Sequence, residues 1–286
     1  MMETTESVVA ELNVALGTDY RLVRQLTGGF QSGAFELTGG VVLKWTNNPD
    51  WTQRVKRAAE LVERARAVGY PTPAWLHVGT TAAGSPYQLQ EFVRGEPIRD
   101  YSVVDAGLAR ELIAACELQR GLVPEPGISW SAWSRGVVLE GWDGVWERVS
   151  RYDGETVELL RRYEELCRPY RDVELPDDDL VHGDLNLGNV IVDDGSVAGI
   201  VDIEAAGGGS RAYDYVSLAT SAARDGAAPG VDELFVEAAL RAGGRAAVAL
   251  CAGAAYVSIA EFVHDRTGSA ELIEYGARRV LELLDA

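Results

Sequence analysis

Three polar residues around a short predicted hairpin have the types and spacing needed for metal-assisted transfer chemistry. Asp184 and Asn189 precede this hairpin, which spans residues 190–201 with a turn at 193–195, and Asp202 follows it. Because hairpin strands are antiparallel, we expect the three side chains to meet at one end of the ribbon. Carboxylate and carboxamide oxygens suit Mg²⁺, which shares its shell with water and phosphate groups. Two of these side chains can hold the cation while the third remains free as a base.

The motif around this hairpin resembles that of the aminoglycoside phosphotransferases and related small-molecule kinases, which share the protein-kinase fold. Its residues are His182-Gly183-Asp184, Asn189, Asp202 within GIVDIE, and Ala212-Tyr213-Asp214. The resemblance implies that Asp184 is the catalytic base and that Asn189 and Asp202 bind Mg²⁺. It also implies that His182 braces the catalytic loop and that Asp214 ties down the following helix. The alternative is a polar hairpin whose Asp and Asn side chains only cap turns.

One segment departs from the family pattern. Residues 207–211 read Gly-Gly-Gly-Ser-Arg, where relatives commonly carry Gly-Asp-Pro before the Tyr-Asp-like pair. We expect this change to loosen the loop without removing a proposed metal ligand.

The order of predicted elements indicates an α+β, two-lobe protein-kinase-like fold. Residues 1–94 are predicted to form a nucleotide-binding lobe, a small antiparallel sheet crossed by one helix at about 50–68. Residues 95–286 are predicted to form a larger, mostly helical lobe that carries the catalytic hairpin and binds the substrate. The sequence around Arg94-Gly95-Glu96-Pro97 is typical of a linker between them.

Two stretches of the first lobe are candidates for contacts with the nucleotide. The glycine-rich turn at 27–33 allows close backbone approach to phosphates, so Gly29 and Ser32 are predicted to contact them, although such a turn is also typical of a plain hairpin. Similarity to the family places the adenine of ATP, or the guanine of GTP, against backbone groups of the last strand. The predicted contacts there are Gln90, Phe92 and Val93.

Lys44 lies in a predicted strand with apolar neighbours, where an unpaired ammonium would be costly to bury. In the kinase arrangement it binds the α- and β-phosphates and pairs with a glutamate of the next helix. Glu60 lies beside the apolar stripe of that helix, so we favour it over the surface residue Glu63. The alternative is a lysine at a strand end that points to solvent.

The acidic residues are unevenly distributed along the chain. Residues 1–94 hold nine acidic and nine basic residues, whereas the rest holds 35 acidic and 17 basic residues, so the net charge of −18 belongs to the second part. Such a surface repels nucleic acid and anionic membranes, and we expect neither as a partner. It favours a cationic small-molecule substrate. The alternative is that the excess acid only promotes solubility.

Four residues are candidates for contacts with that substrate: Trp142, Glu204, Glu261 and Asp265. Trp142 belongs to a tryptophan-rich segment, residues 130–146, that forms either a substrate wall or ordinary core packing. Glu204 is either a contact near the metal or an exposed residue. In the family, carboxylates near the C-terminus often bind ammonium groups, and surface solvation is the alternative for Glu261 and Asp265.

These observations predict a Mg²⁺-dependent phosphotransferase that uses ATP or GTP to modify a hydroxyl of a small cationic molecule. An aminoglycoside or basic peptide antibiotic is the first choice, which would make the protein a resistance kinase. Macrolide, choline or homoserine kinases of the same fold are the alternatives. The other classes are a non-catalytic nucleotide-binding protein and a metal-dependent hydrolase. With no basic leader at residues 1–13, we expect a cytoplasmic protein, and the three scattered cysteines indicate neither a disulfide framework nor a zinc site. We expect a monomer or weak homodimer.

Overall fold

An antiparallel five-stranded sheet occupies the N-terminal part of the chain. The structure is a computed structural model, which describes residues 3–26, 33–124, 127, 129–267 and 271–285. Its strands are β1 Leu22–Gln25, β2 Gly33–Leu37, β3 Val41–Trp45, β4 Trp75–Thr80 and β5 Pro86–Glu91. They lie in the order β1-β2-β3-β5-β4. All four pairings are antiparallel, as the sequence predicts.

Two helices accompany this sheet. Helix α1, Thr5–Leu16, begins at a capping box formed by Thr4 and Ser7 and ends at Gly17, whose φ is 66°. It contributes to a small apolar core with β2, β3 and β5. Helix α2, Trp51–Ala67, is the predicted crossing helix, and its buried residues are Val55, Ala58, Leu61, Val62 and Ala65.

The rest of the chain is mostly helical and contains the larger apolar core. Its helices are α3 Ala106–Glu117, α4 Trp130–Arg135, α5 Val145–Val149, α6 Gly154–Cys167, α7 Ala212–Asp225, α8 Val231–Thr267 and α9 Glu271–Asp285. Short 3₁₀ turns and one π-helical turn, Gly136–Glu140, join them. Together with the sheet, these helices form the α+β arrangement that the sequence predicts. The division between lobes after residue 94 stays a prediction.

Residues Val231–Thr267, numbered here as α8, are two helical stretches joined at a kink, which confirms the two helices predicted over residues 231–242 and 246–264. The chain stays helical through this region except at Gly244, where a φ of 71° and a ψ of 175° produce a kink. By length and composition alone, α8 could cross a membrane, with a mean hydropathy of 1.8 in its most apolar window. However, 67% of that window is buried inside the protein, as in the core helix of a globular domain.

Five short strands surround the predicted catalytic segment: β6 Glu96–Pro97, β7 Asp179–Val181, β8 Val190–Asp193, β9 Ser196–Ile200 and β10 Gly207–Gly209. Strands β8 and β9 form the predicted hairpin, and Asp193 pairs with Ser196 across its turn. Asp194 and Gly195 have φ values of 48° and 80°, as both central residues of a type I′ turn require. Strands β7 and β10 pair with each other and lie beside the hairpin loops.

Candidate active site

The backbone of the predicted catalytic loop is held by Asp214, which is completely buried in the first turn of α7. Its carboxylate accepts hydrogen bonds from the backbone N–H groups of His182 at 2.7 Å and Gly183 at 3.1 Å. The side chain of Gln119 donates a third bond at 2.7 Å. Burial raises the pKa of Asp214 in spite of these donors. The structure therefore places Asp214 where it fixes the loop as well as its own helix.

His182 connects this loop to the end of β9. Its Nε2 bonds the carbonyl oxygen of Val201 at 2.9 Å, and its Nδ1 accepts from the backbone N–H of Asp184 at 3.3 Å. Burial lowers the pKa of His182, which keeps the imidazole neutral and leaves Nδ1 able to accept. This geometry suits the bracing function implied for His182.

The hairpin brings Asp184, Asn189 and Asp202 together, as the sequence predicts. Asn189 donates from its side-chain nitrogen to the carbonyl oxygen of Asp184 at 2.7 Å. The backbone N–H of Val201 donates to the carbonyl oxygen of Asn189 at 2.9 Å, which puts the next residue, Asp202, beside it. Asp202 ends the hairpin in the left-handed conformation, with a φ of 66°.

This donor set fits Mg²⁺. The amide nitrogen of Asn189 is used in its bond to Asp184, so Oδ1 is the atom that remains to bind a cation. In the described ranges there is no cluster of three or more His, Cys, Asp or Glu residues suited to a metal. Mg²⁺ needs no such cluster, because it takes one or two protein oxygens and completes its shell with water and nucleotide phosphates.

Lys44 reaches the hairpin from strand β3 and pairs with two of its carboxylates. Its Nζ lies 2.9 Å from Oδ1 of Asp202 and also forms an ion pair with Glu204, while only 7% of Lys44 is exposed. Gln88, the neighbour of Lys44 on strand β5, donates to the same Glu204 carboxylate at 2.7 Å. Burial lowers the pKa of Lys44, but the charges of Glu204 and Asp202 outweigh burial and raise the pKa above its ordinary value. Lys44 is therefore positively charged and is held in place by Asp202 and Glu204.

The predicted pairing of Lys44 with Glu60 is wrong. Glu60 lies on α2 outside the buried stripe and is exposed, as is Glu63. The side chain of α2 that reaches the site is Arg54, whose Nε donates to the carbonyl oxygen of Glu204 at 3.0 Å. Glu204, predicted as a substrate contact or an exposed residue, is only 6% exposed and pairs with Lys44.

Asp184 is exposed on the catalytic loop beside these charges. The carboxylates of Asp202 and Glu204 are close to its carboxyl group. Desolvation and these two charges raise the pKa of Asp184 to about 7. A carboxylate with a pKa near the working pH is suited to accept a proton from a hydroxyl group.

The predicted nucleotide contacts are placed only in part. Gly29 and Ser32 lie outside the described residues. The N–H of Phe92 already donates to the carbonyl oxygen of Gly40 at 2.9 Å, and the buried side chain of Gln90 bonds Gln88 at 3.3 Å. The side chain of Val93 packs against Gly199, so closely that a Cβ added to Gly199 would lie 2.8 Å from it. Recognition of the base by this segment stays a prediction.

Three of the predicted substrate contacts have partners away from the hairpin. Trp142 packs against Gly136, is 44% exposed and donates from Nε1 to Glu140 at 2.8 Å. Glu261 forms an ion pair with Arg148 of α5. Asp265 accepts from the hydroxyl of Tyr152 at 3.5 Å. None of these contacts involves a residue of the catalytic hairpin.

The sequence analysis does not assign three residues that the structure places at the site: Arg54, Gln88 and Trp130. Trp130 donates from Nε1 to the carbonyl oxygen of Ala205 at 3.2 Å. A signal for Gln88 exists in the pattern of strand β5, because Gln88 and Gln90 alternate with Tyr87 and Leu89 on a strand whose two faces are both buried. Trp130 belongs to the tryptophan-rich segment, in which the sequence analysis names Trp142 as the candidate.

The loop over residues 207–211 is pinned, so the expected loosening is wrong. Arg211 lies 2.8 Å from the buried carboxylate of Asp179 and 3.0 Å from Glu117. The hydroxyl of Tyr215 donates to the same Glu117 at 2.7 Å. These contacts tie the start of α7 to β7 and α3.

Comparisons with known proteins bear on the family and the fold of this chain. The family model described as the phosphotransferase enzyme family matches residues 22–251. A comparison with curated proteins found no match.

Several solved structures share the fold. The GDP complex of wild-type aminoglycoside 2'-phosphotransferase-IIIa has a TM-score of 0.67 at 15% identity, covering 99% of both chains. The ternary complex of a thermostable mutant of aminoglycoside phosphotransferase APH(4)-Ia with ADP and hygromycin B has a TM-score of 0.69 at 14% identity, covering 97% of this chain and 98% of that one. The GDP and kanamycin complex of APH(2")-IIia has a TM-score of 0.65 at 17% identity, covering 96% and 97%.

At these identities the likeness shows the fold alone, and it confirms the two-lobe, kinase-like α+β fold expected from the sequence. The family model goes further, because its match extends over most of the 286 residues and includes both Lys44 and the hairpin. The chain belongs to the phosphotransferase enzyme family.

Proposed function

We propose that this protein is a Mg²⁺-dependent kinase that moves the γ-phosphoryl group of ATP or GTP to a hydroxyl of a small molecule. The observation that carries the proposal is the junction at which Lys44 from the sheet meets Asp202 of the catalytic hairpin at 2.9 Å, with Asp184 and Asn189 on the adjoining loop. The related structures in complex with GDP or ADP support a nucleotide donor.

Each residue has one task in the proposed reaction. Lys44 holds the phosphate chain, and Asn189 and Asp202 would hold Mg²⁺, which would neutralise charge on the phosphates. Asp184 orients the acceptor hydroxyl and takes its proton as the oxygen forms its bond to the γ-phosphorus. The bond from that phosphorus to the bridging oxygen breaks, and the nucleoside diphosphate leaves with its electron pair.

The acceptor proposed first is a cationic antibiotic such as an aminoglycoside, which would make the protein a resistance kinase. The acidic balance beyond residue 94 and the hygromycin B and kanamycin complexes of related folds support this choice. A macrolide, choline or homoserine is the alternative acceptor. The test is incubation with Mg-ATP or Mg-GTP and a panel of these compounds, followed by mass spectrometry for the gain of one phosphoryl group.

The variant that tests the role of Asp184 in the transfer is Asp184→Ala. We expect kcat to fall by about 10³-fold or more, because both the base and the orientation of the hydroxyl are lost, while nucleotide binding survives. Asp193→Ala is the control, since Asp193 is an exposed acid at the far end of the same hairpin. Turnover at the wild-type rate in Asp184→Ala would contradict the assignment. Nucleotide binding without transfer to any acceptor would favour a non-catalytic nucleotide-binding protein.

A further inference from the structure

Arg54 is a half-buried cation of helix α2 at the edge of the proposed active site. Its Nε donates to the carbonyl oxygen of Glu204 at 3.0 Å, and its Cζ lies 4.6 Å from the centroid of the Trp51 ring. The hydrogen bond fixes one edge of the guanidinium, and the indole covers one of its faces. Lys44 contacts the same residue, Glu204, at its carboxylate. Arg54 and Lys44 therefore approach the catalytic segment at a single residue.

The guanidinium of Arg54 has no ionic partner within the part of the chain that the structure describes. No carboxylate there forms an ion pair with it, and its terminal nitrogens Nη1 and Nη2 have no hydrogen-bond acceptor. Burial lowers the pKa of Arg54, although the charges of Glu204 and Asp184 act in the opposite direction. Because a partly buried charge without a partner is costly, the arrangement indicates that an anion completes it.

A second arginine increases the positive charge on this face of α2. Arg57 follows Arg54 by three positions, so the two side chains are neighbours on the helix surface. The Nε of Arg57 is buried and has no hydrogen-bond partner among the described residues. The charge of Arg57 lowers the pKa of Arg54, as expected for two cations that repel each other. An anion bound at Arg54 would offset this repulsion.

The proposed reaction brings an anion to this place. Arg54 is the cation that counteracts the raised pKa of Asp184 most, ahead of Lys44. During transfer the acceptor hydroxyl lies at Asp184 and the γ-phosphorus lies at that hydroxyl, while Lys44 holds the phosphate chain. The moving phosphoryl group therefore passes between the proposed base and Lys44, within the field of Arg54.

We propose, resting on the phosphotransferase function above, that Arg54 binds the phosphoryl group during its transfer through Nη1 and Nη2. A planar guanidinium can bond two phosphate oxygens at once, and charge spreads over the three non-bridging oxygens as the group moves. Arg54 exchanges no proton: the acceptor oxygen bonds the phosphorus, its proton passes to Asp184, and the bridging oxygen leaves with its electron pair. Lys44 then serves the phosphates that stay with the nucleoside diphosphate, and Arg54 serves the one that leaves it.

The first test needs no acceptor. Aluminium fluoride added to Mg-ADP, or to Mg-GDP if GTP is the donor, imitates the phosphoryl group in transfer. We expect the wild-type protein to bind the diphosphate about tenfold or more tightly with aluminium fluoride than without it. Arg54→Gln should lose this gain and keep its affinity for the diphosphate alone. Calorimetric titration measures these constants.

The choice of glutamine separates charge from structure. Its side chain retains an N–H donor for the carbonyl oxygen of Glu204 but carries no charge. Lys56→Gln is the matched control, because Lys56 is an exposed cation of the same helix. The same gain from aluminium fluoride in Arg54→Gln and the wild type, or no gain in the wild type, would overturn the inference. So would equal weakening of the diphosphate with and without aluminium fluoride, which indicates a purely structural role.

The second test measures transfer to any acceptor that the wild-type protein phosphorylates. Arg54→Gln should lower kcat by about 10²-fold with little change in the KM of the acceptor, because the contact is made in the transition state. Arg54→Lys should retain more of kcat, since it keeps the charge and loses only the planar fork. Lys56→Gln should turn over at the wild-type rate.

The two tests distinguish failure of this inference from failure of the proposed function. A gain from aluminium fluoride that requires Arg54, without transfer to any acceptor, would support the phosphoryl site and contradict the kinase proposal. Transfer at the wild-type kcat in Arg54→Gln would support the kinase and reject Arg54 as a ligand of the phosphoryl group.

Discussion

Glu204 pairs with Lys44, a role that the sequence analysis predicts for a glutamate of helix α2. It is buried, bonds Lys44 and Gln88, and lies two residues after the proposed metal ligand Asp202. When Asp202 binds a cation, Glu204 remains as the anionic partner that holds Lys44 in position. The lysine is thus fixed by the catalytic hairpin itself, with no glutamate from helix α2.

Replacing Glu204 by Gln should weaken binding of Mg-ATP, because Lys44 loses its buried anionic partner. Lys44 is then held by Asp202 alone, which is also the proposed metal ligand, so we expect the lysine to be less well positioned for the phosphates and the nucleotide Kd to rise by about tenfold. Glu60→Gln is the matched control, because Glu60 is exposed on α2 and its change should stay within about 0.5 kcal/mol. Calorimetric titration measures both constants. An equal loss of affinity in the two variants would restore Glu60 as the partner.

The raised pKa of Asp184 predicts a dependence of stability on pH. Its folded-state pKa of about 7 exceeds the ordinary value of 3.8, because desolvation and the charges of Asp202 and Glu204 disfavour the carboxylate. The folded protein therefore binds more protons than the unfolded chain between these pH values. Protonated Asp184 therefore favours the folded state. The free energy of unfolding falls as the pH rises from about 4 through 7 and Asp184 loses its proton.

Replacing Asp184 by Asn should remove this fall in the free energy of unfolding at high pH. In EDTA at pH 8 we expect a higher Tm than in the wild-type protein, and near pH 4 the difference should vanish, since the wild-type carboxyl is then protonated. Mg²⁺ with nucleotide should narrow the gap at pH 8, because the cation offsets the neighbouring charges. Scanning calorimetry across this pH range is the measurement. A Tm difference that stays constant with pH would argue against a raised pKa.

Local pattern was sufficient to predict the β8–β9 hairpin, because its β-branched strands and the Asp194-Gly195 turn act within a few residues. It also placed Asp184, Asn189 and Asp202 together. Pattern was not sufficient to settle which residues of α2 reach the site. Glu60 and Arg54 both border the apolar stripe, and only packing against the segment after Asp202 determines that Arg54 reaches Glu204.

The tryptophan-rich segment was harder to predict for a related reason. Helix α4 has only six residues and is followed by a π-helical turn, so the periodicity of its sequence is too short to define a face. The position of Trp130 depends on Gly183 and Gly209, which are 53 and 79 residues away along the chain. Such contacts carry no local signal.

Arg211 joins three elements, and its loss should destabilise the protein. Arg211→Ala leaves Asp179, whose side chain is 4% exposed, without its ionic partner. Breaking a buried pair in this way costs about 3–5 kcal/mol of unfolding free energy. Arg241→Ala is the control, because Arg241 and Glu237 form an exposed i, i+4 pair worth about 0.5 kcal/mol or less. Urea unfolding measures both values, and similar values would mean that the Arg211 network adds little.

At the scale of the whole molecule, the charge is divided between a neutral sheet region and an acidic helical region. The chain has only two lysines, and one of them, Lys44, lies where these regions meet. Its ion pairs with Asp202 and Glu204 join residues 158 and 160 positions apart. The same cation that is proposed to hold phosphates thereby links the sheet to the β8–β9 hairpin.

This link predicts that Lys44 stabilises the fold as well as serving the reaction. In Lys44→Met the carboxylate of Glu204, only 6% exposed, loses its cation, and we expect the free energy of unfolding to fall by about 3–5 kcal/mol. Adding Glu204→Gln should recover part of that loss, because the unpaired charge is removed as well. Lys56→Met is the matched control, since Lys56 is exposed on α2. If urea unfolding gave Lys44→Met and Lys56→Met the same stability, Lys44 would not link the two regions, and its value to the protein would rest on nucleotide binding alone.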